Sequence, residues 1–233
     1  MIVDLVIRSY DGDAEWLKYS LQSIQRFATG FRRIIVIVPH GHNPPTGAVE
    51  IVFKVAEIGE QYVQQQSDKM HADHFTDADA VVWNDSDTIF TRPICPDDLF
   101  VNGRPIWLYT PYSSIPDGDG QTWKPVTEKF MGHSVEHEFM RRHPFCAPRW
   151  ALQSIRSWCH KIHGMTLERY FMSQPNRQCS EFNFLGAYLW FYHHDKVHWQ
   201  NTDEDLGTTY VHQSWSHGGL SDDIRRNMEA ALA

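Results

Sequence analysis

The chain has 233 residues, a charged fraction of 21% and a formal net charge of −8 at pH 7. This length has room for one large α/β domain or two small ones, and because no Gly/Ser-rich tract divides the sequence, we predict a single domain over residues 1–233. No apolar run approaches the ~20 residues of a membrane helix, and the acidic balance disfavours a partner bound mainly through its phosphates.

The first half of the chain alternates apolar strands with amphipathic helices. Strands are predicted at residues 2–7, 31–38, 50–55 and 80–84, and helices at 14–28 and 61–75, with a break over 39–45. Strands that alternate with helices in this way indicate a mostly parallel, twisted sheet with helices on both sides.

The second half is predicted to be less regular and more helical. We predict strands at 105–110 and 208–213, a loop at 111–124 and a break at Gly218-Gly219. Helices are predicted at 136–142, where His143-Pro144 closes a short helix, and at 149–163. Two more helices are predicted after serine caps, one from Ser180 to residue 192 and a last one at 222–231 after Ser221.

Two carboxylates follow the fourth predicted strand. Asp85 and Asp87 are two residues apart, so they project to one side of an extended chain, at the edge where α/β sheets bind ligands. Two such carboxylates repel each other unless a proton or cation lies between them. A hard divalent ion with positions left for phosphate oxygens suits this pattern. The alternative is that Asp85 caps the next element and Asp87 faces water.

Five motifs occur in a fixed order along the chain. They are Asp4-Leu5-Val6-Ile7-Arg8-Ser9-Tyr10, Gln65-Gln66-Ser67-Asp68-Lys69, Asp85-Ser86-Asp87-Thr88, His143-Pro144 and Ser180-Glu181-Phe182-Asn183-Phe184-Leu185-Gly186. The sequence resembles the GT-A glycosyltransferases, and more closely a family of short, largely uncharacterised glycosyltransferases with Q-Q-x-x-K, D-S-D, H-P and S-E-(F/Y)-N-x-x-G. The resemblance implies one GT-A-like domain, with a nucleotide-sugar-binding half at 1–92 and an acceptor-side half at 93–233.

A nucleoside diphosphate sugar, most simply a UDP-sugar, is the donor that this resemblance implies. The residues expected to contact it are Arg8, Ser9, Tyr10, Gln65, Lys69, Asp85, Ser86 and Asp87. Gln65 and Lys69 are four residues apart, so they share one helix face, and Lys69 is expected to neutralise a phosphate oxygen. The alternatives are a surface Arg8 paired with Asp11 or Asp13, and a solvated helix face.

The resemblance also implies a cofactor, Mn²⁺ or Mg²⁺. Asp87 is the first candidate ligand, and Asp85 is either a second ligand or a partner of the ribose. GT-A enzymes often complete the shell of the ion with a histidine after a late strand. His212 and His217 are the two candidates for that position, and one of them is expected to serve.

Glu181 is the candidate catalytic residue, and His143 is the second choice. If transfer inverts the anomeric centre, a base must face the incoming hydroxyl, and Glu181 is our prediction for it. If transfer retains the configuration, Glu181 is expected to position the acceptor instead. The alternative is a carboxylate that only favours the dipole of its helix.

The acceptor is left open between a saccharide or lipid-linked glycan and a hydroxymethylated base in DNA. Arg141-Arg142-His143, Arg149-Trp150 and Arg156 form a basic and aromatic cluster in the sequence that is suited to a phosphate backbone. Two competing classes remain: a non-catalytic carbohydrate- or nucleotide-binding module, and a metal-dependent phosphohydrolase or nucleotidyltransferase.

The cysteines indicate a reducing compartment. The four of them, at 95, 146, 159 and 179, are too scattered for a metal knuckle and too few for a disulfide scaffold. The N-terminus enters a strand without a basic region or cleavage site, which is untypical of a signal peptide. We therefore expect a cytoplasmic protein without a membrane span.

Overall fold

The computed structural model describes residues 1–44, 51–56, 59–118, 120–142 and 144–233. The strands are β1 (Val3–Arg8), β2 (Ile34–Pro39), β3 (Ile51–Val55), β4 (Ala80–Asp85), β5 (Thr88–Phe90), β6 (Phe100–Val101), β7 (Arg104–Pro111), β8 (His137–Glu138), β9 (Phe145–Pro148), β10 (His198–Asn201) and β11 (Val211–Gln213). The helices are α1 (Ala14–Phe27), α2 (Gln61–Met70), α3 (Lys124–Met131), α4 (Arg149–His163), α5 (Leu167–Met172), α6 (Glu181–Tyr192) and α7 (Asp222–Leu232).

The main sheet has five strands in the order β3-β2-β1-β4-β9. The first four are parallel, and β9 runs antiparallel to β4. Since parallel strands of such a sheet share one carboxyl edge, the ends of β1 and β4 meet there, with Arg8 opposite Asp85. The prediction of an α/β fold is confirmed, with a mixed sheet between helices.

Apolar side chains cover both faces of the main sheet. Leu5 and Ile7 of β1 pack in a cluster with Leu17 of α1, whereas Val6 packs in a second cluster with residues of α2, α4 and α6 such as Phe182. Alternate residues of a strand face opposite ways, so the buried apolar residues of β1 contribute to both clusters.

Two smaller sheets lie beside the main one. The first has the order β10-β7-β6, with β8 also paired to β7. The second joins β11 antiparallel to β5, with His212 opposite Ile89 and Gln213 opposite Thr88. This pairing brings the segment after β11 to the Asp85–Asp87 turn, although the two are far apart in sequence.

Most of the strands and helices that the sequence predicts are present, but their ends are shifted. Helix α2 ends at Met70 and a 3₁₀ turn follows at Ala72–His74, so the predicted helix at 61–75 is too long. Ser180 and Ser221 cap α6 and α7 as expected, since each hydroxyl accepts a backbone N–H from the first turn. Residue 45, the last of the predicted break at 39–45, and residue 50, the first of the predicted strand at 50–55, lie outside the described residues.

The predicted helix at 136–142 is wrong. Two of its residues form β8, which pairs with β7 through Thr110 and Glu138, and the Phe139 N–H donates to Asn183 Oδ1 at 2.9 Å. Pairing with β7 and α6 therefore overrides the local helical pattern.

Several elements were not predicted from the sequence. They include α3, α5, β5, β6, β9 and β10, together with two 3₁₀ turns, Tyr112–Ser114 and Gln121–Trp123, inside the predicted loop at 111–124. None of the described helices combines the length and apolar character needed to cross a membrane. All four cysteines are free thiols.

Candidate functional site

The site lies at the carboxyl edge of the main sheet, where β1 ends at Arg8 and β4 ends at Asp85. Arg8 is buried, and its Nε donates to Asp68 of α2 at 3.2 Å. Its Nη1 donates to the carbonyl oxygen of Ser9 at 3.2 Å. Its Nη2 is buried and has no hydrogen-bond partner among the described residues. One donor of a buried guanidinium is therefore available to a ligand, and the surface position considered for Arg8 is wrong.

Lys69 lies between two carboxylates beneath this edge. Its Nζ is 2.6 Å from Asp85 Oδ1 and 2.8 Å from Glu181 Oε1. Burial alone would lower the pKa of Lys69, but the two carboxylates outweigh it and raise that pKa. The ammonium group also lies 4.8 Å from the ring centroid of Phe182. Lys69 therefore joins α2, β4 and α6 through buried charge pairs.

Asp87 connects the Asp85–Asp87 turn to the segment after β11. Its Oδ2 accepts the backbone N–H of Ser216 at 2.8 Å, and its Oδ1 accepts Nε2–H of Gln213 at 3.3 Å. The Ser214 N–H donates to the carbonyl oxygen of Asp87 at 3.0 Å. This network places a loop from the end of the chain over the strand ends.

A cavity of about 200 Å³ opens at this edge, and we call it the donor cavity after the ligand that the sequence resemblance leads us to expect there. Of the predicted residues, Arg8, Gln65, Asp85, Ser86, Asp87 and His217 line it. The arrangement therefore brings together residues from opposite ends of the chain, from Arg8 to His217.

The remaining predicted residues are not on the wall of the donor cavity. Ser9 is buried, and Tyr10 packs beside His42 with 6.2 Å between ring centroids. Lys69 and Glu181 are each 3% exposed and lie behind Asp85. His212 is exposed on β11, so of the two histidine candidates it is His217 that lies at the cavity. The prediction for His143 lies outside the described residues.

Asp13 is a site residue that the sequence analysis missed. It lines the donor cavity, and its Oδ2 accepts a hydrogen bond from Ser86 Oγ at 2.8 Å. Burial raises the pKa of the Asp13 carboxyl, and the nearby charge of Asp85 adds to the increase. Its place in the polar turn after the first strand was the available signal.

Tyr62 and Arg177 also line the donor cavity and were not predicted. The guanidinium carbon of Arg177 lies 5.9 Å from the ring centroid of Tyr62. Arg177 has a φ of +60°, a left-handed conformation that is uncommon for a residue other than glycine. Backbone strain of this kind is often found at ligand-binding positions.

The S-E-F-N-x-x-G motif fixes the segment that follows β8. Asn183 accepts the Phe139 N–H, and its Nδ2 donates to Glu138 Oε1 at 3.0 Å. A Cβ on Gly186 would overlap the Phe139 ring, so only glycine leaves room for this approach. Since Met140 follows directly and lines the donor cavity, the motif acts on the site through this segment.

A second cavity of about 500 Å³ adjoins the donor cavity, and we call it the Trp215 cavity. The two cavities share Met140, Gln213 and Trp215 as wall residues. Arg141 and Arg142 also line the Trp215 cavity, and Arg141 is paired there with Glu138. A ligand in one cavity therefore lies next to a ligand in the other.

The basic and aromatic cluster expected from the sequence is dispersed in the structure. Arg156 pairs with Asp73 through two contacts of 2.6 and 2.7 Å. Trp150 lines a different cavity together with Arg104 and Asp195. Among the described residues of the predicted cluster, Arg141 and Arg142 line the Trp215 cavity.

The residues at the donor cavity fit a hard divalent ion that takes most of its coordinating oxygens from water and a bound substrate. Asp85 and Asp87 supply the carboxylate oxygens that Mg²⁺ and Mn²⁺ prefer. Across the described ranges, no group of three or more His, Cys, Asp or Glu side chains is arranged to hold a metal ion. An ion held by one or two carboxylates takes its other ligands from water and substrate phosphates, as Mg²⁺ commonly does.

Sequence comparison with protein families and with curated proteins found no match: no family model matches the chain, and no curated protein matches it significantly.

Proposed function

We propose that the protein is a metal-dependent glycosyltransferase that moves a hexose from a nucleoside diphosphate sugar, a UDP-sugar in the first place, to an acceptor hydroxyl. One observation carries the proposal: Arg8, Asp85 and Asp87 converge on a single cavity at the carboxyl edge of parallel strands. Open α/β sheets bind nucleotides at this edge. The neighbouring Trp215 cavity gives room for an acceptor.

The donor diphosphate is bound in the donor cavity by charge and hydrogen bonds. The buried Nη2 of Arg8 gains a phosphate oxygen as its partner, and charge-assisted bonds of this kind are among the strong ones. Gln65 and Arg177 are further donors on the same wall. A bound Mn²⁺ or Mg²⁺ supplies the positive charge that offsets both the carboxylates and the departing diphosphate.

In the transfer step, the acceptor oxygen forms a bond to the anomeric carbon while the bond from that carbon to the diphosphate breaks. The nucleoside diphosphate leaves with the bonding electrons, and the hydroxyl proton passes to water or to a carboxylate of the donor cavity wall. Glu181, the sequence-based candidate for the base, is buried and already paired with Lys69 at 2.8 Å. We therefore assign Glu181 a positioning role: it holds Lys69, and Lys69 holds Asp85.

The test is a thermal-stability screen with UDP, GDP, CMP and TDP, each with and without Mn²⁺. A ligand at about 100 times its dissociation constant adds about 2.7 kcal/mol to the free energy of unfolding. We expect a clear shift with one nucleoside diphosphate, UDP first, that requires the ion. Asp87→Asn should lose the ion-dependent part, because the amide keeps an oxygen for the Ser216 N–H but lacks the charge.

Asp195→Asn is the matched control, since Asp195 is exposed on the wall of another cavity. It should bind UDP as the unmodified protein does. An unchanged shift in Asp87→Asn would remove the metal assignment. The absence of a shift with every nucleotide would remove the donor assignment.

The competing classes give different products and mutational effects. With UDP-glucose as the probe, a phosphohydrolase releases UMP and glucose 1-phosphate, and a nucleotidyltransferase releases glucose 1-phosphate while it transfers the uridylyl group. A glycosyltransferase instead releases UDP. A non-catalytic binding module would keep its nucleotide affinity when Asp85 and Asp87 are both replaced by Asn. Release of UMP or glucose 1-phosphate, or unchanged affinity in that double variant, would count against the proposed function.

A further inference from the structure

The Trp215 cavity has an apolar rim that the donor does not need. Trp215 and Leu206 are both 64% exposed, among the most exposed large apolar side chains of the described residues, and both line this cavity. A third apolar surface, Trp123, lies on the same wall. Indole rings are common platforms for flat ligands with one apolar face. The rim therefore suits a ring that stacks on it.

Arg142 is a second cation on the same wall, and it differs from its neighbour Arg141 in its ion-pair partners. Arg141 has the carboxylate of Glu138 as an ion-pair partner. The Arg142 guanidinium is half-buried and donates to Thr209 Oγ1 at 2.7 Å. Among the described residues, no carboxylate oxygen lies within 4.0 Å of it, in contrast to Arg8 and Arg156, which both have one. Burial lowers the pKa of Arg142, and the charge of Asp205 offsets this only in part, so an anionic ligand at this guanidinium would add a favourable charge-assisted pair.

We propose, resting on the function proposed above, that the Trp215 cavity binds an acidic saccharide as the acceptor, with its ring on Trp215 and its phosphate or carboxylate group on Arg142. The shared wall of Met140, Gln213 and Trp215 sets the acceptor hydroxyl next to the donor sugar. A planar guanidinium with two parallel N–H groups matches either kind of anion.

A nucleic acid acceptor fits this wall less well. Duplex DNA is bound through several phosphates, each neutralised by Lys or Arg. On the described wall the basic side chains are Arg141 and Arg142, Arg141 is already neutralised by Glu138, and Asp203 adds a negative charge. The net charge of −8 opposes a polyanion further. One anionic group on a small ring is the better match in charge.

The experiment compares ligands that differ in charge but share a ring. Methyl glucoside, glucose 6-phosphate, glucuronate, inorganic phosphate and a short DNA duplex are titrated against the full chain by ligand-detected NMR, with and without UDP and Mn²⁺. We expect glucose 6-phosphate or glucuronate to bind about tenfold more tightly than methyl glucoside. The comparison of the two acids identifies the anion. Inorganic phosphate alone should bind more weakly than the sugar phosphate, since it lacks the ring.

Variants of Arg142 decide the assignment. Arg142→Gln should remove the advantage of the acidic sugar, whereas Arg142→Lys, which keeps the charge, should keep part of it. Arg104→Gln is the matched control, because Arg104 lines a different cavity and should leave the advantage intact. Thermal midpoints of all three variants report whether each one folds.

Two results would overturn the proposal: an equal affinity for neutral and acidic sugars, or an advantage that survives in Arg142→Gln. Tighter binding of the duplex than of either acidic sugar would replace the saccharide with a nucleic acid. The UDP arm separates the two proposals. If UDP binds but acidic and neutral sugars bind equally well, only the proposal of an acidic acceptor is contradicted. If UDP does not bind but acidic sugars bind more tightly than neutral ones, and Arg142→Gln removes that difference, only the donor assignment is contradicted.

Discussion

The donor cavity and the Trp215 cavity share a wall but are built differently. Behind the donor cavity, Arg8 pairs with Asp68, and Lys69 pairs with Asp85 and Glu181, all on regular strands and helices. The Trp215 cavity is lined mainly by connecting segments, and its aromatic rim is exposed to solvent. Buried charge pairs thus hold the wall of the donor cavity in place, whereas the side chains of the Trp215 cavity can largely be substituted.

Under the proposed function, this difference indicates how the donor and the acceptor would be bound. A diphosphate has a fixed charge and shape, so a site for it gains from donors that are held in place before binding. Loops tolerate substitution better than strands and helices, so a wall made of loops suits a substrate that varies. Three substitutions test the contrast through the free energy of unfolding and through ligand binding.

Lys69→Met should have the largest effect. It leaves the carboxylates of Asp85 and Glu181 close together without a cation, and breaking a buried charge pair typically costs about 3–5 kcal/mol. The pKa of Lys69 is raised above its ordinary value of 10.5, so its stabilising effect is complete below that pH and is lost as pH rises through the higher folded-state value. Urea unfolding at pH 7 therefore measures the full loss.

Two further variants are needed to interpret the loss of stability in Lys69→Met. Lys18→Met changes an exposed lysine on α1 and should shift stability by no more than about 0.5 kcal/mol. Glu181→Gln leaves the Lys69–Asp85 pair in place, so we expect a smaller loss of stability together with weaker UDP binding. Unchanged UDP binding with a turnover lowered about 10²–10⁴-fold would instead make Glu181 the base. A cost below about 1 kcal/mol for Lys69→Met would contradict the buried network.

Gly186→Ala should have an intermediate effect. The added methyl group meets the Phe139 ring, and overpacking of this kind typically costs about 1–3 kcal/mol. Gly132→Ala is an informative comparison: nothing lies within 4 Å of its added Cβ, but its φ of +76° brings backbone strain without overpacking. The thermal midpoint and the UDP shift of both variants should be measured. If Gly186→Ala keeps the UDP shift fully, the path from α6 to Met140 does not affect the donor cavity.

Regular patterns made the donor side predictable from sequence. The apolar runs of β1 and β4 mark where each strand ends, and Asp85 and Asp87 directly follow such a run. The spacing of Gln65 and Lys69 places them on one helix face, but it does not reveal that Lys69 is buried between two carboxylates. The sequence thus predicted residues that meet at one cavity, but not the charge pairs that Lys69 makes.

The Trp215 cavity was not predictable in the same way. Trp215 and Asp13 reach the site through tertiary contacts, namely the β11–β5 pairing and the hydrogen bond between Ser86 and Asp13. The segment at 136–142 has a helical pattern but forms β8, because β7 and Asn183 take its backbone groups. Such contacts depend on partners distant in sequence, so local periodicity does not reveal them.

Trp215→Ala should have the smallest effect on stability and a specific effect on binding. Trp215 is 64% exposed, so we expect the free energy of unfolding to change by no more than about 0.5 kcal/mol. The loss of a stacking surface should weaken glucose 6-phosphate binding about threefold to tenfold. Phe191→Ala, which removes a 43% exposed ring from α6, should leave that affinity unchanged. If Trp215→Ala were as destabilising as Gly186→Ala, the wall would be structural, and the contrast between a fixed donor side and an open acceptor side would fail.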